Sequence, residues 1–366
     1  MSSKTNRRQW LKLSAASAGA ALALSAFDLE TETRAADRAG RLIKLTGNEN
    51  SYGFSPRVRQ SVLEAIADGN RYADPENVAR LEREIAAREG VGPQSIVLGT
   101  GSGEVLCMAA LAFGRREIVA PAPTFPSLMR YAEHFGARVK SVPLNEKFEH
   151  DFAAMAQQIG DATSLVYVCN PNNPTAGLSP HEAVRAFVSE TARRVPVFVD
   201  EAYLEYTDEY PRNSMIELVR RGENVVVSRT FSKIYGLAGW RVGYGVAPVA
   251  LAEKLKKFRM TWFNNLSIGA ARAAYADQDF VARSRRLNTL VRRDFLREID
   301  ALDLKYAPSA ANFVWLNVGA TMNDLGDRMR ERGILLSNPR DGWARVTIGT
   351  ADEMKTFVAA LKEIKK

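Results

Sequence analysis

The stretch Val225-Val-Val-Ser-Arg-Thr-Phe-Ser-Lys-Ile-Tyr-Gly-Leu-Ala-Gly-Trp-Arg-Val-Gly-Tyr244 decides how this chain folds. Its first three residues are β-branched and apolar, the composition of a strand buried on both faces. The strand must end where polarity returns, near Ser228. Lys233 follows at once, after Thr230 and Ser232 and before Gly236, Gly239 and Arg241. A lysine delivered by a buried strand end is partly desolvated, which lowers its pKa and frees the neutral amine. A neutral amine condenses with an aldehyde to form a Schiff base. The simpler alternative is a lysine stem lying on apolar surface with its head in water. The rest of the chain must choose between them.

Working outward, six further apolar runs match Val225–Ser228: Ile96–Leu98, Ile118–Ala120, Val139–Pro143, Leu165–Cys169, Val195–Val199 and Val242–Val246. Helix-like stretches separate most of them, such as Glu104–Phe113, Ser127–Phe135, His181–Ala192 and Ser214–Arg220. Val- and Ile-rich strands alternating with helices predict an α/β fold with a mostly parallel sheet. From about Phe280 the pattern reads helix, strand pair, helix, strand, helix, a smaller α+β domain. The turn-rich segment Arg41–Tyr72 is expected to cross the surface as an arm. The expected divisions are therefore 37–75 for the arm, 76–275 for the large domain and 276–366 for the small one.

The 366 residues are enough for a large core. The net charge of +8 is spread among acidic residues, as in Arg80-Leu-Glu-Arg-Glu-Ile-Ala-Ala-Arg-Glu89, which reads as a solvated helix face and not as a nucleic-acid stripe. With three histidines and no Cys/His cluster, no metal site is expected. Cys107 and Cys169 read as buried thiols in a helix and a strand.

The N-terminus is of another kind. Asn6-Arg-Arg-Gln-Trp-Leu-Lys12 precedes fifteen uncharged residues, Leu13 to Phe27. A basic start followed by a short apolar region is a signal-peptide pattern, too short for a comfortable membrane span. The Arg7-Arg8 pair with Trp10-Leu11 resembles a twin-arginine export signal, which predicts handling by that machinery through residues 1–36 and an exported, periplasmic protein.

Ligands of open α/β sheets sit at the carboxyl ends of the strands. After Ile96–Leu98 comes Gly99-Thr-Gly-Ser-Gly103 and then a helix, a set of backbone N–H donors suited to a phosphate. After Leu165–Cys169 comes Asn170-Pro-Asn-Asn-Pro-Thr175, whose prolines restrict the backbone and so aim the Asn side chains. After Val195–Val199 comes Asp200-Glu-Ala-Tyr203; a carboxylate there needs a cationic or hydrogen-bonding partner. Lys233 stands among Thr230, Ser232 and Arg241. A molecule with a phosphate, an aldehyde and a protonated ring nitrogen satisfies all of these groups, and pyridoxal phosphate is that molecule.

These motifs, with Arg345-Val-Thr-Ile-Gly349, resemble those of the class I/II aminotransferases, fold-type I pyridoxal-phosphate enzymes, and within them the histidinol-phosphate aminotransferase branch. The resemblance covers about residues 41 to 366. It implies a seven-stranded, mostly parallel sheet with helices on both faces plus a smaller α+β domain. It implies that Lys233 is the Schiff-base lysine and proton shuttle, that Asp200 pairs with the ring nitrogen, and that Asn173 and Tyr203 meet the ring's 3-oxygen. Ser102, Gly103, Thr230, Ser232 and Arg241 would bind the phosphate, and Phe125 would stack on the ring. Tyr72 would reach the phosphate of a neighbouring subunit, which implies a homodimer with shared sites. Arg345 would clamp a substrate carboxylate, assisted by Asn312, while Asn48, Asn50 and Tyr52 belong to an arm that closes over substrate. The partners implied are a small-molecule amino donor and a 2-oxo acid acceptor.

Two residues depart from the family pattern: Ala176 where glycine is usual, and Ser51 where proline is common. An export signal also sits oddly with histidine biosynthesis, a cytoplasmic pathway. Other pyridoxal-phosphate reactions on the same scaffold are the nearest alternatives: decarboxylation, elimination, racemisation or oxidation. A binding protein that has lost turnover is a second. A dinucleotide-binding oxidoreductase fails because no G-x-G-x-x-G follows the first strand of the sheet.

Overall fold

The seven apolar runs are strands of one sheet. In the computed structural model, which describes residues 42–365, they are β1 (Ile96–Gly99), β2 (Glu117–Ala122), β3 (Arg138–Pro143), β4 (Thr163–Cys169), β5 (Val197–Asp200), β6 (Val225–Thr230) and β7 (Gly243–Val246). Their order across the sheet is β1-β7-β6-β5-β4-β2-β3. Only β7 runs against its neighbours; β2 with β3, β2 with β4, β4 with β5 and β5 with β6 are parallel. The expected α/β sheet, seven-stranded and mostly parallel, is what the chain forms. All of this lies in the compact unit Lys44–Lys366.

Alternation along the strands sorts the core into two layers. Val225 and Val227 pack in one cluster with Val197 and Val199; Val226 and Phe198 pack in the other. These side chains are fully buried or nearly so, and each contributes on the order of 1.5–3 kcal/mol. Burial on both faces is why the runs read as continuous apolar segments rather than as polar alternation.

The covering helices include α1 (Pro56–Ala65), α2 (Pro75–Glu89), α3 (Ser102–Phe113), α4 (Ser127–His134), α5 (Phe152–Gln158), α6 (His181–Ala192), α7 (Ile216–Arg220), α8 (Val249–Lys256) and α9 (Asn265–Ala276). Local chemistry sets their ends. Before α2, the Asp74 carboxylate accepts from the Glu76 N–H and Pro75 occupies the first turn, where its missing N–H costs nothing. Gly90 then stops the helix with φ 67°.

Two expectations need correction. The segment Arg41–Tyr72 is not simply a surface arm: it contains α1, and Leu45, Asn48, Ser55 and Val58 are buried. Ser55-Pro56 is a helix-start signal, and the Ser55 hydroxyl caps Val58 N–H. In the last third, the 23-residue α10 (Gln278–Asp300) is followed by β8 (Phe313–Asn317), α11 (Leu325–Arg330), β9 (Ile334–Leu335), β10 (Trp343–Thr347) and α12 (Ala351–Lys365). The strand pair expected early in this region forms between β8 and β10, antiparallel and far apart in sequence. The twin-arginine segment, residues 1–36, lies outside the described residues.

Candidate active site

Because β1, β4, β5 and β6 point the same way, their carboxyl ends converge on one edge of the sheet, above a cavity of about 390 Å³. Ser102, Gly103, Phe125, Asn173, Asp200, Tyr203, Thr230, Ser232, Lys233, Arg241 and Arg345 all line it. The structure therefore brings together residues spread from Ser102 to Arg345.

One end of the cavity is a set of donors. The turn after β1 leads into α3, whose first residues are Ser102 and Gly103, so backbone N–H groups and the helix dipole face inward. Gly101 makes the turn possible: its φ is +82°, and a Cβ there would lie 2.2 Å from Arg241 Nη2. Gly243, on β7, lies so close beneath that a Cβ would meet Ser102 N at 2.2 Å. Arg241 is itself in the left-handed region at φ 55°, a strained conformation for a residue with a side chain. Its Nη1 donates to Ser232 Oγ (3.2 Å) and to the Ala238 carbonyl (2.8 Å). The Ser232 N–H donates to Thr230 Oγ1 at 3.1 Å. Hydroxyls, amides and a guanidinium in one place suit a phosphate.

Asp200 ends β5 and is 2% exposed. It accepts from Ser228 Oγ (2.9 Å), Tyr167 OH (3.2 Å) and the Ala202 N–H (3.3 Å). Burial pushes its carboxyl up, while Ser228, Tyr167 and the Ala202 N–H hold it down. A buried carboxylate so placed is stabilised by a cation, and a protonated ring nitrogen supplies one. Burial also lowers the Lys233 amine to about 8; Arg345 and Arg241 add to the effect, and Glu49 and Asp200 oppose it. Its Nζ donates to the Gly47 carbonyl at 2.9 Å and lies 5.6 Å from the Tyr203 ring centroid. The donor cluster, the buried carboxylate and the depressed amine fit pyridoxal phosphate in one orientation.

On the cavity's other side, Arg345 on β10 donates from Nη1 to Asn173 Oδ1 (2.9 Å) and from Nη2 to the Thr46 carbonyl (2.6 Å). Asn173 Nδ2 faces Tyr203 OH at 3.4 Å. Asn170-Pro-Asn-Asn-Pro is rigid: Ser179 N–H donates to Asn170 Oδ1 (2.9 Å), and Asn172 Nδ2 donates to Thr175 Oγ1 (2.9 Å). Ala176 follows at φ 60°, a left-handed conformation that glycine takes without strain, and it is fully buried beside Tyr203 and Phe313.

Three residues expected on the substrate side lie elsewhere. Asn312 does not line the cavity: its Nδ2 donates to the carbonyls of Asn48 (3.0 Å) and Glu49 (3.2 Å). Asn50 Nδ2 donates to the Ile234 carbonyl (2.7 Å) and Ser284 Oγ (3.1 Å). Asn50, Tyr52 and Asn312 instead line a separate water-sized void. Asn312 supplies donors to two carbonyls of the irregular segment after Lys44, and Asn50 ties that segment to Ile234 and Ser284. Tyr72, expected to reach a neighbouring subunit and not this cavity, is 87% exposed. Conversely, Gly47, Glu49, Ser127, Ala202 and Ala238 line the cavity although no motif singled them out, and so does the buried Cys169. Their only sequence signal was adjacency to motif residues.

Comparison with known proteins agrees with this geometry. Residues 41–361 match the family described as Aminotransferase class I and II. The histidinol-phosphate aminotransferase of Limosilactobacillus fermentum is 38% identical over 330 residues, 88% of this chain and 91% of the relative. That of Moorella thermoacetica is 38% identical over 331 residues, 88% of this chain and 85% of the relative. The crystal structure of histidinol-phosphate aminotransferase from Sinorhizobium meliloti in complex with pyridoxal-5'-phosphate superposes with a TM-score of 0.81 at 29% identity, covering 88% and 90% of the two chains. Thermus thermophilus aspartate aminotransferase shares the fold at 22% identity, with a TM-score of 0.78 and coverage of 94% and 96%.

Proposed function

We propose a reaction for this chain from the premise that it belongs to the class I and II aminotransferase family: transfer of an amino group from an amino acid or an amino-alcohol phosphate such as histidinol phosphate to a 2-oxo acid. That it is a pyridoxal-phosphate-dependent aminotransferase follows from the family and from relatives that are histidinol-phosphate aminotransferases. The single observation that carries the reading is the convergence of Lys233, Asp200 and Arg345 on one cavity.

When bound, pyridoxal phosphate supplies an aldehyde that takes up an amine and a ring that draws electrons from the α-carbon. The protein's own residues do the rest. Ser102, Gly103, Thr230, Ser232 and Arg241 hold the phosphate. Asp200 keeps the ring nitrogen protonated; the charge it meets there offsets the cost of its own burial. Asn173 and Tyr203 orient the ring at its oxygen, and Phe125 covers a face. Lys233 would hold the aldehyde carbon, and its free amine, lowered by burial to about 8, is matched to taking and returning a proton near neutral pH. Arg345, pre-oriented by Asn173 and the Thr46 carbonyl, binds the anionic group of the substrate. Two half-reactions at one site predict ping-pong kinetics.

The finer parts of this reading are proposals of the same kind. The exposed phenol of Tyr72 is free to enter the site of a second copy, so the active form is a homodimer with shared sites. The Arg7-Arg8 segment directs export by the twin-arginine route to the periplasm. Size-exclusion chromatography with light scattering tests the first, and fractionation of cells carrying Arg7→Lys with Arg8→Lys tests the second.

The deciding experiment is a visible-absorbance titration of the purified protein, wild type beside Lys233→Ala, with a panel of amino donors including histidinol phosphate. One donor is expected to bleach the cofactor band and a 2-oxo acid to restore it. Release of carbon dioxide, ammonia or hydrogen peroxide without need of an acceptor would overturn transfer in favour of another reaction on the same scaffold.

A further inference from the structure

Asn48 is buried to 1% exposure and sits at φ 51°, the left-handed region, four residues into an irregular segment. Every polar group it owns is engaged. Its N–H donates to Thr347 Oγ1 (3.0 Å), and its carbonyl accepts from Asn312 Nδ2 (3.0 Å). Its Oδ1 accepts from Thr347 Oγ1 (3.1 Å), and its Nδ2 donates to Tyr203 OH (3.0 Å). The amide's orientation follows from Thr347: its buried hydroxyl accepts the Asn48 N–H, and among the hydrogen bonds of the described residues Asn48 Oδ1 is the acceptor for its proton, which a flipped amide would leave without one.

Tyr203 OH meets a second amide. Arg345 has donors only, so the Asn173 atom 2.9 Å from its Nη1 must be Oδ1. Asn173 Nδ2 is then the atom facing Tyr203 OH, at a longer 3.4 Å. A phenol has one proton to give and lone pairs to receive. With two amide N–H groups occupying the accepting side, the proton has one direction left, into the cavity that Tyr203 lines. The charged and titratable groups around the phenol include Lys233, Arg345, Asp200, Cys169 and Tyr206. Its hydrogen-bond partners among the described residues are the two amides.

We infer that Asn48 is a positioning residue that forces Tyr203 to act as a hydrogen-bond donor toward the cofactor's ring oxygen. This rests on the reading of Tyr203 as that oxygen's neighbour, and it gives Asn48 a role other than closing over substrate. A donor there stabilises negative charge on the oxygen. The oxygen then competes less for the proton on the adjoining Lys233 nitrogen, and that nitrogen titrates lower.

The test is a pH titration of the visible band of the cofactor-loaded protein, which reads this proton directly and does not depend on turnover. Asn48→Asp keeps the shape but turns the donor into an acceptor, so Tyr203 donates to it instead of into the cavity. Asn48→Gly removes the side chain while accepting the left-handed backbone without strain. The expected result is an upward shift of the midpoint by about one unit in Asn48→Asp, the equivalent of one hydrogen bond. A smaller upward shift is expected in Asn48→Gly. Tyr203→Phe should shift it in the same sense, and adding Asn48→Asp to Tyr203→Phe should shift it no further. If Tyr203→Phe moves the midpoint and both Asn48 variants leave it in place, the inference is wrong and the reading of Tyr203 stands. If Asn48→Asp shifts the midpoint as far in the Tyr203→Phe background, the effect is its added charge and the inference is again wrong. If Tyr203→Phe itself moves nothing, the reading beneath it fails as well.

Discussion

Lys233 Nζ lies 2.9 Å from the backbone carbonyl of Gly47, 186 residues earlier in the chain. The contact ties the Lys233 amine to the segment Gly47–Glu49, which lines the same cavity. The amine is also held beside Arg345 and Arg241, both of which disfavour its proton.

The first prediction concerns that proton. The folded-state pKa of about 8 lies below the ordinary 10.5. Stability associated with the group is therefore full above pH 10.5 and is lost as pH falls through 8. Cofactor-free Lys233→Met should be more stable than wild type at pH 7, with the advantage shrinking as pH approaches 10.5, by chemical denaturation. In the cofactor-free wild type the rate of recombination with pyridoxal phosphate should rise with pH to a midpoint near 8. A midpoint above 10 would contradict the burial of Lys233.

Arg345 joins the substrate side of the cavity to Asn173. Arg345→Ala removes a charged clamp and also frees the Asn173 carbonyl oxygen. Losing one partner of such a pair costs about 2–5 kcal/mol. The expected outcome is a fall in kcat/KM for a carboxylate-bearing partner by roughly two to three orders of magnitude. The affinity for pyridoxal phosphate itself, followed by fluorescence quenching, should change by much less.

Gly101 bears on the donor cluster. Alanine there would carry φ +82° and drive a Cβ to 2.2 Å from Arg241 Nη2. Arg241 must move away, so cofactor affinity should fall at least about tenfold, as expected for a displaced charge-assisted hydrogen bond. Equilibrium dialysis measures it. Gly160→Ala, exposed and outside the cavity, meets nothing within 4 Å and serves as the mild control.

Behind the cavity lies a buried ion network. Arg229 is fully buried, with Nη2 2.9 Å from Glu201 Oε2 and Nη1 3.2 Å from Glu89 Oε1. Arg229→Leu would strand two buried carboxylates and should destabilise the fold by about 3–5 kcal/mol. Glu201 adjoins Asp200, so the loss should be accompanied by weaker cofactor binding. Denaturant midpoints and absorbance titration check the two effects.

The strands were legible because burial on both faces leaves a local mark, the Val- and Ile-rich runs from Ile96 to Val246. The groups at their ends were legible for a related reason. A parallel sheet sends every strand's carboxyl end to one edge, so Ser102, Asn173, Asp200 and Lys233 had to meet once the strands were recognised. The segment from Lys44 to Tyr72 was harder. Its turn-rich composition masked α1, because a helix start of Ser55-Pro56 is a short signal set among loop residues.

The sequence by itself determined the sheet, most of the residues that line the cavity and the family, since each is written in contiguous motifs whose chemistry is local. Only the tertiary structure decided which polar residues face the cavity and which support it. Asn48, Asn50 and Asn312 are the same residue type, yet one meets Tyr203 and the other two hold backbone carbonyls and a hydroxyl. An asparagine carries donors and an acceptor wherever it stands, and what they bind depends on packing between segments up to 299 residues apart.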